Sequence, residues 1–362
     1  MSAVGGIEQL PPAMGIEAAE SVTSSRSPRE QVWIRFKRDK AALLSTGIVL
    51  LMLLIALIGP PILESWLGRS AENVNPNAQL FEKGLPLPPN TWAVKADAAT
   101  RYRVLAPAEQ LTLCNGPERP KGVCLYYPLG TDGAVGHDEL MWLVKGARTS
   151  LEVAFGATLF SMLIGVVLGA MAGFLGGWFD GLISRIIEII MSFPSTLFII
   201  ALAAAAPPEL RSFTLFGLLP RGAMLVMGVI ALFGWYYPAR VVRGQVLSLK
   251  EKEFVEAARM LGAKPRRIIF SHLLPYLVAP IIVYSTLVIG QNVLVEAGLS
   301  FLGVGIDAGA PSWGNLLETS VDFLNAAPLV MILPGGCLLV LSLALNLLGD
   351  GLRDAFDPRS TL

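Results

Sequence analysis

Apolar residues in this chain come in long runs separated by polar stretches. Six runs carry no charge: Ala41–Leu63, Val153–Phe179, Ile189–Pro208, Gly222–Ala239, Leu273–Val295 and Phe323–Gly349. Each meets or approaches the roughly 20 helical residues that cross a hydrocarbon core about 30 Å thick. The third run extends back to Leu182 and takes in Arg185 and Glu188. Those two lie three apart on one helical face, where pairing or snorkelling near a membrane boundary limits their cost. The pattern predicts an all-α membrane protein with six transmembrane helices. Residues 1–34 show no periodicity, are rich in Ser, Ala, Glu and Pro, and read as a disordered tail. Residues 35–63 form the first anchor span, too late and too long for a cleavable signal peptide. A large insertion, 64–140, follows, and its NVNPNAQLFEKGLPLPPNTW reads as irregular structure or short strands. Residues 141–350 hold five further spans, with a polar loop at 241–275 and a short tail at 351–362.

Composition agrees with this reading. The chain is 53% hydrophobic and 15% charged, against about 25% charged in soluble domains. Its 28 basic and 28 acidic residues cancel, and no nucleic-acid partner is expected. Basic residues in short loops set orientation. Arg35, Lys37, Arg38 and Lys40 precede the first span and place the N-terminus in the cytoplasm. Six crossings then put the insertion outside and both the polar loop and the C-terminus inside. From Arg240 to His272 that loop holds eight Lys or Arg against three Glu, which agrees independently.

The loop's EFVEAARMLGAKPRRIIFSHLLP has its own pattern. Phe254, Ala257, Ala258 and Leu261 follow helical spacing and give a short helix one apolar face. Gly262 stands where a helix ends in the left-handed conformation, and Pro265 suits the first position of a second helix. Arg266 and Arg267 project from that second helix. On the residues alone this island suits either a docking surface for another chain or a basic loop on anionic headgroups.

EAARMLG followed at this distance by HLLP resembles the EAA motif of the permease subunits of ATP-binding-cassette importers. Glu256, Ala257, Ala258, Gly262, Ala263, Pro265 and Arg266 then hold the positions that couple to an ATPase. LGTDGAVGHDELMWLVKGARTSL (129–151), EAGLSFLGVG (296–305), PSWG (311–314) and GDGLRDAFDPR (349–359) resemble the peptide and nickel branch of that family. His137 stands where that branch has Arg, and His272 suits the peptide importers. The resemblance implies a bacterial inner-membrane protein whose partners are a second permease subunit, two cytoplasmic ATP-binding subunits and an extracytoplasmic substrate-binding protein. The chain lacks G-x-x-x-x-G-K-[ST], so ATP and its magnesium belong to the partners and no cofactor is expected here.

Tyr284, Gln291, Asn292 and Glu296 in the fifth run, with Trp313 beyond it, are candidates for lining a pathway. Each has a plainer reading: helix–helix hydrogen bonds for the amides, headgroup water for Glu296, an interfacial anchor for Trp313. Cys114 and Cys124 flank turn-forming residues in an oxidising compartment, which permits a disulfide; two separate thiols remain the alternative. Cys337 reads as a packing residue. His137 and His272 are too isolated to bind a metal. Gly165, Gly169 and Gly173 form a small-residue stripe suited to close helix packing, and Pro194, Pro280 and Pro334 are candidate kinks. An ion-coupled carrier is the alternative function, though mid-span acids that would bind the ion are missing. A membrane enzyme would need a paired acid or nucleophile–base set within the spans, and none is evident.

Overall fold

A computed structural model of the chain describes residues 28–71, 86–95, 102–104, 124–132, 136–215 and 217–357. Helix α1 spans Pro28–Arg38, with Glu30 in its first turn and Arg35, Lys37 and Arg38 in its last. That order of charge complements the helix dipole. Phe36 buries against Ala42 and Ala355, so the irregular tail expected through residue 34 gives way to helix at Pro28. Asp39 caps the next helix, α2 (Lys40–Leu67), accepting from the N–H groups of Ala41 and Ala42 at 2.8 and 3.1 Å.

The insertion contributes a small antiparallel sheet, β1 (Thr91–Lys95), β2 (Tyr102–Val104) and β3 (Cys124–Tyr127), in the order β2–β1–β3. The helical expectation is amended to that extent. Cys114, and with it the pairing to Cys124, lies outside the described residues.

Helix α3 runs from Glu139 to Leu175, well before the apolar run begins at Val153. An apolar run marks only the part of a helix that meets hydrocarbon. Here the helix continues through charged residues, helped by the Asp138 cap and an Arg148–Glu152 pair one turn apart at 2.7 Å.

The third run is two helices, α4 (Gly177–Met191) and α5 (Ser195–Ala204), bent by 82°. Pro194 has no N–H to give and stands at the break. A short α6 (Pro208–Ser212) precedes α7 (Ala223–Gly234) and α8 (Tyr236–Leu249), which are bent by 40°. Next come α9 (Glu253–Met260), α10 (Pro265–Phe301), α11 (Trp313–Ser320) and α12 (Leu329–Phe356). The helix of α10 passes through a π-type stretch at Ile268–Leu273. Pro280 and Pro334 sit inside α10 and α12 without ending them. Among the described residues four helices are long and apolar enough to cross a membrane, or up to six if each bent pair is one span.

Helix α3 is the hub, touching α2, α7, α8 and α10. Its glycine stripe explains how it comes so close to α8. A Cβ on Gly165 would lie 2.7 Å from the Trp235 carbonyl oxygen, and one on Gly173 would lie 2.9 Å from that of Arg243. In lipid, such close approach supplies the dispersion contacts that hydrophobic exclusion cannot.

Arg69 fastens the insertion to this bundle. Its guanidinium pairs with Asp138, donates to the Tyr126 carbonyl and lies 4.1 Å from the Tyr127 ring centre. Nearby, the Trp142 indole donates to the Ala71 carbonyl at 2.8 Å. Burial raises the Asp138 carboxyl above its ordinary range, and the Arg69 charge opposes that rise. Arg69→Ala leaves a buried carboxylate without its cation. It is expected to lower unfolding stability by about 3–5 kcal/mol, read as an earlier thermal transition of the purified protein. An unchanged transition would mean that the clamp is dispensable.

Candidate functional site

Three regions gather the residues that the sequence singles out. The first is the α9 hairpin. Its helix ends in a paired turn: Gly262 N–H donates to Arg259 at 2.9 Å, and Ala263 N–H to Ala258 at 3.0 Å. Gly262 takes φ +77°, the left-handed geometry that such a turn requires. Pro265 then opens α10, as expected. The burial pattern, however, departs from expectation. Val255 and Ala258 face inward against Ile268, Ile269 and Leu273, whereas Ala257 is exposed. The expected apolar face therefore divides, because Val255 and not Leu261 completes the inward side. Glu256 and Ala257 are exposed beside Met260 and Leu261, which are 84% and 89% exposed. Arg266 and Pro265 are exposed and Ala263 is half-buried.

The second region is a cavity of about 950 Å³ bordered by α5, α7, α8, α10 and the end of α12. Tyr284, Gln291 and Asn292 line it. Tyr237 stacks on Tyr284 with ring centres 5.0 Å apart. Asn292 donates to the Thr158 hydroxyl at 2.9 Å, so one amide serves both the helix contact and the wall. Gln245 adds a further amide, while Arg353 and Asp357 are the charged lining residues and sit at one end.

The third region corrects two expectations. Glu296 and Trp313 do not border the cavity; both are buried between helices. Glu296 accepts from the Ser300 hydroxyl at 2.9 Å, and that hydroxyl accepts from Ile306 N–H at 3.2 Å. Trp313 donates through its indole to the Leu143 carbonyl at 2.9 Å and through its backbone to Ser150 at 3.4 Å. Gly314 lets the turn press on α10, since a Cβ there would lie 2.5 Å from the Ala297 carbonyl oxygen. The Glu296 side chain is therefore fully buried, in a polar knot that pins the 302–313 loop onto α3 and α10.

Comparison with known proteins decides the family. Residues 165–362 match the family described as binding-protein-dependent transport system inner membrane component. Residues 27–80 match the N-terminal transmembrane domain of oligopeptide transport permease C. The chain belongs to this family of transport-system membrane components. Among its relatives is the dipeptide transport system permease protein DppC of Alkalihalophilus pseudofirmus, 41% identical over 247 residues, which are 68% of this chain and 76% of that one. The oligopeptide permease protein OppC of Salmonella typhimurium is 39% identical over 230 residues, 64% and 72% of the two chains. The glutathione permease protein GsiD of the same organism is 33% identical over 334 residues, 92% and 91%. The resemblance read from EAARMLG and its companions is borne out.

Three features of this family member had no legible signal of their own. Arg243 makes a two-pronged contact with Asp180, its Nη2 at 2.7 Å, joining α8 to α4. The two lie 63 residues apart in the chain, and only their partnership in space distinguishes them. Arg69 meets Tyr126 and Asp138, which lie 57 and 69 residues further along the chain. His137, standing where Arg was expected, contacts Asp132 at 2.7 Å and stacks on Trp142 at 3.9 Å. Asp132 also accepts from Gly136 and His137 N–H at 2.7 Å, so the histidine serves the turn that leads into α3.

Proposed function

We propose that the chain is one of two permease subunits of an ATP-driven, binding-protein-dependent importer for peptides or related small solutes. In this reading the chain crosses six times, counting each bent pair once, and the basic residues before the first span put both ends in the cytoplasm and the insertion outside. Two cytoplasmic ATP-binding subunits supply the energy and their magnesium-bound ATP. An extracytoplasmic binding protein delivers the solute. The names of the dipeptide, oligopeptide and glutathione relatives support this class of cargo.

The observation that carries the reading is the α9 tip. Glu256, Ala257, Met260 and Leu261 stand exposed on a short helix whose other side is fixed to α10 through Val255 and Ala258. A partner that closes on ATP and grips the exposed side pushes the buried side, and with it the base of α10. Helix α10 carries Tyr284, Gln291 and Asn292 in the cavity wall, so motion at the tip reaches the pathway. Glu256 and Ala257 contact the partner, Ala258 and Ala263 seat the lever, and Gly262, Pro265 and Arg266 form its turn. The tyrosine rings and amides of the wall suit a peptide backbone, offering hydrogen bonds without a fixed charge.

The test is reconstitution of the co-expressed complex in liposomes with the binding protein and a labelled peptide. Uptake is expected to require ATP. Glu256→Lys, which reverses charge on the exposed face, is expected to lower ATP-driven uptake at least tenfold while leaving the chain in the membrane. Uptake that follows a proton or sodium gradient without ATP would establish the ion-coupled alternative.

A further inference from the structure

Beside the α9 tip lies a second, chemically different surface. Lys264, Arg266, Arg267, Phe270 and Ser271 border a cup of about 410 Å³ with no acidic residue in its lining. All five are exposed. The order explains the grouping: Arg266 and Phe270, and Arg267 and Ser271, are four apart and share one side of the helix. Ile268 and Ile269 turn inward to the core. Several other cations among the described residues are paired with acids: Arg243 with Asp180, Arg185 with Glu188, Arg148 with Glu152, Arg69 with Asp138. Among the described residues, none of Lys264, Arg266 and Arg267 makes an ion pair.

The cup sits at the foot of α10, one turn before that helix becomes continuously apolar. Phe270 is 54% exposed on the side that carries the arginines. We propose that this cup binds the headgroup of an acidic phospholipid of the cytoplasmic leaflet. The guanidinium groups take the phosphate, with two parallel hydrogen bonds available from each. The Ser271 hydroxyl donates to a remaining oxygen, and Phe270 lies along the first part of an acyl chain. Lys264 extends its stem over apolar surface and its ammonium to the headgroup. The leaflet follows from the orientation proposed above; the chemistry of the cup does not depend on it. An acidic patch on an ATP-binding subunit is the competing partner. The exposed aromatic ring at the membrane boundary favours lipid, because a protein dock already has the apolar and acidic face of α9. A lipid held here braces the base of α10 against the bilayer, beside the lever.

The experiment uses the purified complex in nanodiscs of phosphatidylcholine with and without phosphatidylglycerol. Lipid retained after gentle release is counted by native mass spectrometry. The wild-type protein is expected to retain phosphatidylglycerol over phosphatidylcholine and to lose it as salt is raised. Joint Lys264→Gln, Arg266→Gln and Arg267→Gln substitution is expected to weaken that retention about 100-fold, about five-fold for each cation near the surface. Arg266→Lys with Arg267→Lys keeps most of it. Arg185→Gln, on an exposed pair elsewhere, leaves it unchanged. Equal retention by the triple variant overturns the proposal. So does displacement by millimolar inorganic phosphate, which marks a free-anion site. Loss of the ATP-binding subunits with lipid retention intact marks a protein dock and also overturns it. Salt dependence in the wild-type protein stands whether or not a variant folds. Failure of ATP-driven uptake in the wild type would bear on the importer reading and leave the lipid result untouched.

Discussion

Gly262→Pro is expected to cut ATP-driven uptake at least about 100-fold while the chain stays in the membrane at near wild-type amounts. Gly262 holds φ +77°, and proline is locked near −65°. Proline also removes the N–H that donates to Arg259 at 2.9 Å. A turn strained by about 3 kcal/mol holds its native geometry on the order of one time in a hundred. The lever then no longer aims α9 at its partner. Nothing lies within 4 Å of a Cβ built at this position, so the change bends the turn without crowding the bundle, and membrane content is spared. Gly262→Ala grades the effect: a left-handed alanine costs about 1–2 kcal/mol, so a loss of roughly tenfold is expected. Uptake assays paired with immunoblots of the membrane fraction read both quantities. Normal uptake by the proline variant would remove the turn from the mechanism.

Gly169→Leu is expected to destroy the fold. A Cβ at Gly169 would lie 2.9 Å from Cα and 3.0 Å from the carbonyl carbon of Ala239. Both are backbone atoms of α8, so no side chain can swing aside. The helices must separate, and because α3 touches α2, α7, α8 and α10, that separation disturbs four contacts at once. Overpacking typically costs about 1–3 kcal/mol and occasionally more, and the upper end is expected where backbone must move. The expected result is a chain that fails to accumulate, or whose thermal transition in detergent collapses. Gly228 is the control, since no atom lies within 4 Å of its Cβ position, and Gly228→Leu is expected to leave the amount of folded protein unchanged. Equal accumulation of the two variants would show that α3 and α8 are less tightly pressed than the structure indicates.

Local chemistry made much of this architecture legible. The left-handed glycine, the proline three residues later and the four-residue glycine spacing each encode a backbone requirement, and each is met. Apolar runs located the long helices but not their ends, because α3 and α10 continue as helix into charged surroundings. The bend between α4 and α5 was half visible in Pro194; its 82° angle depends on what each half packs against. The inward face of α9 was misassigned because periodicity alone does not say which of two overlapping apolar stripes meets a neighbour. Val255 wins by facing Ile268 and Leu273. Among the pathway candidates, Tyr284, Gln291 and Asn292 reach the cavity, whereas Glu296 and Trp313 belong to a polar knot. The difference comes from loop 302–313 folding back, a contact between distant segments that no local pattern announces.

The break between α4 and α5 also determines which helices are moored together. Helix α4 is moored at its base by Asp180 to Arg243 and along its length by Ile183 and Ile187 against α3 and α8. Helix α5 is moored elsewhere, with Ile199 in the cluster of α7 and Phe198 against Phe233. Pro194 and the bend divide the third apolar run into two separately moored pieces joined by an elbow. Helix α10 runs from Pro265 to Phe301 with no such break, so in the importer reading proposed above it is the continuous element that links the α9 tip to the cavity wall.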